Sequence, residues 1–122
     1  MSVQVLTLLS GLVASMTDLK KELAAWWIQK AKDEVEMVVD KAVDYGATDL
    51  YEIGRSILIL GGKSYDRKRA TEAGIYFYEQ GKMARWQSAI MEGRPTNPDT
   101  ILDIGVYARM AQRVLEVGGW PI

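Results

Sequence analysis

Two carboxylates, Asp99 and Asp103, stand one helical turn apart in the segment Asp99-Thr-Ile-Leu-Asp103-Ile-Gly-Val-Tyr107. A helix advances about 100° per residue, so the pair projects along one stripe with Val106, Tyr107, Met110 and Val114. That stripe is the expected core side, because Arg109, Gln112 and Glu116 fall on another. Two carboxylates on a buried face repel each other and lose hydration, so they demand a cation, a proton or a network of donors. Asp99 has a simpler role open to it, as an acid in the first helical turn. Asp103 lies deeper, between Leu102 and Ile104, and lacks that role.

The segment before it carries Glu72 and Glu79 on the stripe of Ile75, Met83, Trp86 and Ile90. Carboxylates on facing helices of a bundle can build an oxygen-only metal site. Glu72 adjoins Thr71, the expected cap of that helix. Glu79 is either a ligand or the partner of Lys82 or Arg85 in a salt bridge. Lys82 and Arg85 also suit phosphate oxygens, being cationic donors one turn apart beside Glu79. Further upstream, Asp33, Asp40 and Asp44 read as a solvated stripe opposite Val35, Val38, Val39 and Ala42. Glu36, nearer the apolar boundary, is the remaining candidate ligand.

The 122 residues include no cysteine and no histidine. This removes a disulfide framework, a Cys/His zinc site, a thiol nucleophile and a Ser-His-Asp triad. Acid–base or metal work falls to Asp, Glu, Lys, Arg and Tyr, and the fitting ions are hard ones such as Mg²⁺ or Mn²⁺. A formal charge of −1 argues against nucleic-acid binding by bulk electrostatics. The basic run Lys63, Arg67, Lys68, Arg69 is the only feature in its favour. Gly61-Gly62-Lys63-Ser64 resembles the end of a phosphate-binding P-loop, but Ile57 occupies the position of its first glycine.

These residues need helices to position them, and the spacing predicts an all-α domain of four or five helices over 1–122. An apolar segment, 1–16, forms a first helix or an oligomer contact, and the core bundle spans 17–117. Thr17 or Asp18 caps a helix to about Tyr45, with Gly46 as its stop. Thr48 caps a shorter helix to Leu60, and a third runs from about Thr71 to Glu92. Asn97 caps the last, with Pro98 at its first position and Gly118-Gly119 at its end. Trp26 and Trp27 read as core or interface anchors. The apolar start is too short to span a bilayer and lacks a signal peptide's basic flank, so a cytoplasmic protein without a membrane partner is expected.

The order Lys41-Ala-Val-Asp-Tyr-Gly46, then Gly81-Lys82-Met-Ala-Arg85, then Asp99-Thr-Ile-Leu-Asp103-Ile-Gly-Val-Tyr107-Ala108 resembles a known family. It is similar to small phage-type MazG-like nucleotide pyrophosphohydrolases and the related nucleotide-modification-associated domains, over roughly residues 36–117. The resemblance implies an all-α, oligomeric protein (dimer or tetramer) that hydrolyses nucleoside triphosphates to monophosphate and pyrophosphate with magnesium. It implies metal-ligand roles for Asp99 and Asp103, and phosphate or structural roles for Lys82 and Arg85. The family's other acidic motif is incomplete here: Met37 follows Asp33-Glu34 where a third acid would stand.

The leading expectation is therefore a metal-dependent nucleoside-triphosphate pyrophosphohydrolase with Glu36, Glu79, Asp99 and Asp103 as metal ligands and Lys82 and Arg85 on the phosphates. The alternative is a non-catalytic helical phage protein acting through protein–protein contacts, with the acids held by Lys or Arg.

Overall fold

A computed structural model describes residues 3–42 and 47–121, with side-chain surroundings over 15–40 and 49–121. It contains four helices and, among the described residues, no strand: α1 (Val3–Ala42), α2 (Ala47–Leu60), α3 (Arg67–Met91) and α4 (Pro98–Val117). The chain divides into two compact units, 1–39 and 40–122.

The first unit is the greater part of α1. Thr17 and Asp18 do not start a helix there; they lie inside a single helix of 40 residues. A Thr-Asp step favours a cap only where the chain must turn, and the flanking Leu, Ala and Lys are adequate or strong helix formers. Large apolar side chains along α1 are exposed, among them Leu19, Leu23, Trp26, Trp27, Ile28, Val35 and Val39. Trp26 and Trp27 meet edge to face, with ring centroids 6.0 Å apart. The expected stop at Gly46 and the acid Asp44 lie outside the described residues, as does the side chain of Thr48.

The second unit is built on α3, against which both α2 and α4 pack. The α2–α3 crossing is close because two glycines face it. A Cβ on Gly54 would lie 1.6 Å from the Ala70 carbonyl oxygen, and one on Gly74 would lie 1.9 Å from that of Leu50. Leu50, Ala70, Thr71 and Ile75 are buried, and Val106, Met110 and Val114 supply the buried stripe of α4. Helices α2 and α3 end on Gly62 and Gly93, both at φ 68°. Only glycine takes this conformation freely, and it lets Lys63 N–H reach the Leu58 carbonyl and Arg94 N–H that of Ala89, each at 2.9 Å.

The start of α3 differs from the expected cap at Thr71. Asp66 is the N-cap, its carboxylate accepting from Arg69 N–H at 2.7 Å. Thr71 is buried one turn inside and donates its hydroxyl to the Arg67 carbonyl at 2.8 Å. Arg67, Lys68 and Arg69 thus belong to the first turn of α3, not to a loop. Helix α4 begins as expected, with Asn97 accepting from Asp99 N–H at 3.0 Å and Pro98 following. Gly118 caps its end, and the short tail folds in, with Trp120 buried.

Candidate functional site at the junction of α3 and α4

The polar cluster between α3 and α4 forms because one residue of the inward face of α3 is a lysine. Thr71, Ile75, Tyr78, Lys82 and Ala89 follow one another at helical spacing, and all are buried or partly buried. Met83 and Ile90, expected on the buried stripe, are exposed. The inward face is therefore rotated toward Tyr78 and Lys82, leaving Glu79 at its edge.

Lys82 is the charged inward residue that meets α4. Its side chain keeps only 13% of its exposure, and its Nζ lies 3.3 Å from Asp103 Oδ2. The same ammonium stands 5.0 Å from the centre of the Tyr107 ring. Tyr78 and Tyr107 pack across the two helices with centroids 5.7 Å apart. A long aliphatic stem lets lysine cross apolar surface and place its charge at a polar edge. Asp103 is that edge: its side chain is 49% exposed. The expectation of Asp103 on a buried face holds only in part, because the lysine is the buried member of the pair.

Glu79 lies beside this pair. Its Oε1 is buried and meets no hydrogen-bond donor among the described residues. Burial pushes the Glu79 carboxyl above the usual carboxylate range, Lys82 opposes that rise, and the charge of Asp103 adds to it. Glu79 lines a groove of about 370 Å³ with Arg69, Glu72, Ile75, Tyr76 and Ala108. Lys82, Asp103 and Tyr107 line a smaller recess of about 90 Å³.

The other expected site residues are elsewhere. Asp99 is exposed on the first turn of α4 rather than buried beside Asp103. Helix N-termini favour acids, and water covers this one at little cost. Glu72 bonds Arg69 at 3.2 Å. Arg85 is exposed and does not share the recess of Lys82. It lines a groove of about 480 Å³ with Trp86, Arg94, Thr96, Asn97 and Thr100, where α3 turns into α4. Glu36 is exposed on α1, in the other unit. Among the described residues no three acids gather in a group fit to hold a metal ion. Within the second unit the structure brings together Glu79, Lys82 and Asp103, and separates them from Asp99 and Arg85.

Tyr78 and Tyr107 are part of this site, and helical spacing from Ile75 and Lys82 was the signal for Tyr78. A second aromatic cluster joins α2 to the start of α3, where Arg55 Nε donates to the Tyr65 hydroxyl at 2.8 Å and Arg67 lies over Tyr51 at 5.2 Å. No helix among the described residues is long and apolar enough to cross a membrane. No family model, curated protein or solved structure matches the chain.

Proposed function

We propose that the α3–α4 junction is a phosphate-handling site and that the chain is a divalent-cation-dependent nucleoside-triphosphate pyrophosphohydrolase. The observation that carries this reading is Glu79 Oε1, a buried carboxylate oxygen without a donor among the described residues, beside Asp103 and Lys82. A buried acceptor left unmatched costs stability, so its retention suits a cation arriving with a ligand.

Two carboxylates fit such an ion. Magnesium is commonly bound through one or two carboxylates, with substrate phosphates and water completing its shell. Glu79 and Asp103 would hold it. When bound, the ion supplies charge neutralisation on the phosphates and acidifies an attacking water. Lys82 offers its ammonium to a non-bridging oxygen by exchanging part of its contact with Asp103. Tyr107 keeps that ammonium in place, because the ring lies beneath it. Arg85 and Arg94, at the α3–α4 turn, present guanidinium donors next to the N-terminus of α4, a combination that suits the far end of a polyphosphate.

The test is pyrophosphate release from ribo- and deoxyribonucleoside triphosphates with magnesium or manganese. Turnover of at least one triphosphate is expected, and none across the panel sinks the proposal.

A second reading, a helical interaction protein, is favoured by one observation: Asp103 already has a basic partner in Lys82. Under that reading the pair is structural, and metal ions leave the thermal stability of the chain unchanged.

A further inference from the structure

We propose that two copies of this chain pair through α1, antiparallel and centred on Trp27, independently of any chemistry at the α3–α4 junction. Leu19, Leu23, Trp27, Ala31, Val35 and Val39 recur at a spacing of four residues. This spacing makes one continuous ridge on a helix surface, of the kind that packs into the groove of a second helix. The five large members of the ridge are 54–63% exposed. The opposite side of α1 carries Asp18, Glu22, Gln29, Asp33, Glu36 and Asp40 within an arc of about 60°. One side is suited to water and the other is not.

Charge identifies the occupant. Residues 18–32 hold four lysines against two acids, whereas 33–40 hold four acids and no base. A second copy running the other way about Trp27 brings Lys20, Lys21 and Lys32 level with Glu34, Asp33 and Glu22, against one like-charge meeting of Asp18 with Glu36. The apolar ridge obeys the same symmetry except at its end, where Val39 falls opposite Ser15 of the second copy. About Trp27, Leu19 falls opposite Val35 of the second copy, Leu23 opposite Ala31, and Trp27 opposite itself. Lys20 then falls opposite Glu34 of the second copy. Both charges lie within the apolar arc, where a parallel pair would oppose lysine to lysine and glutamate to glutamate. A two-fold interface requires such self-complementarity. Spacing by fours, rather than alternating threes and fours, gives a crossed pair and not a long coiled coil.

The absence of cysteine makes the test clean. The full-length wild type should sediment as a dimer at micromolar concentration. Under oxidising conditions Trp27→Cys chains should form a cross-linked homodimer, because Trp27 lies at the crossing point, while Leu19→Cys chains, about 12 Å along the helix from it, should not. Lys20→Glu should raise the dimer dissociation constant about tenfold, and Lys20→Glu with Glu34→Lys should restore it to within about twofold. A monomer at about 100 μM (a concentration that would reveal even a weak dimer), or cross-linking of Leu19→Cys by itself, overturns the proposal.

Discussion

Replacing Gly74 by alanine tests the α2–α3 crossing that holds the second unit together. The new methyl would lie 1.9 Å from the Leu50 carbonyl oxygen. A comfortable carbon–oxygen contact is about 3.3–3.6 Å, so the helices must part by about 1.5 Å at that point. Neither side of the clash is a flexible side chain, since the contact is with backbone. A gap of that size forfeits more than half of the dispersion energy at the contacts it opens, and those include buried Leu50 and Ile75. Overpacking of this kind costs about 3 kcal/mol, and the better helix propensity of alanine returns about 1 kcal/mol. The net loss of about 2 kcal/mol corresponds to a fall in Tm of about 10 °C. Gly81 and Gly105 are the controls, because a methyl at either meets nothing within 4 Å. Alanine there should stabilise by about 0.5–1 kcal/mol. Thermal and urea unfolding followed by circular dichroism reads all three variants. If Gly74→Ala is as stable as Gly81→Ala, the helices do not cross at this glycine and the packing described is wrong.

Asp103→Asn should cost more stability than Lys82→Met, about 1–3 kcal/mol against less than about 1, in urea titrations. The first leaves a largely buried ammonium without its counter-charge, whereas the second leaves a half-exposed carboxylate that water can serve; equal losses would refute this asymmetry. Glu79→Gln should stabilise the metal-free chain at pH 7 by about 1 kcal/mol and change its pH profile. The folded state raises the pKa of Glu79, so its contribution is fullest below the usual carboxylate range and is lost as pH rises through the folded-state pKa. Stability measured from pH 4 to 8 should therefore fall less steeply in the variant than in the wild type (a window set by the carboxylate range), and parallel profiles would place Glu79 in water.

The sequence disclosed the architecture where the determining chemistry is local. Asn97, Pro98 and Gly118 bound α4 through caps that need no tertiary contact, and the apolar spacing of Val106, Met110 and Val114 finds its core side. Asp66 is equally local, yet Thr71 offers a competing cap, so the basic residues between them fall outside the predicted helix. The continuity of α1 through Thr17 was hidden for a related reason: a residue able to cap does so only if the chain turns. Tertiary facts were out of reach. Nothing in the spacing of Gly54 and Gly74 states that two backbones meet there, and helical periodicity assigns a lysine to solvent. Lys82 goes inward because its ammonium meets the Tyr107 ring and has Asp103 to reach. That one inversion accounts for most of the difference between the expected acidic site and the observed one. Asp103 found a basic partner, while Glu79 was left with the unmatched oxygen.

The most direct test of the proposed chemistry is magnesium-dependent pyrophosphate release by wild type, Glu79→Gln and Asp103→Asn, with Glu116→Gln as an exposed control on α4. Loss of either carboxylate should lower the rate at least about 100-fold, as removal of a charge-stabilising group does. Circular dichroism should show the helices retained, and the control should keep the wild-type rate. Glu79→Gln and Asp103→Asn chains that hydrolyse the triphosphate as fast as wild type would contradict the account.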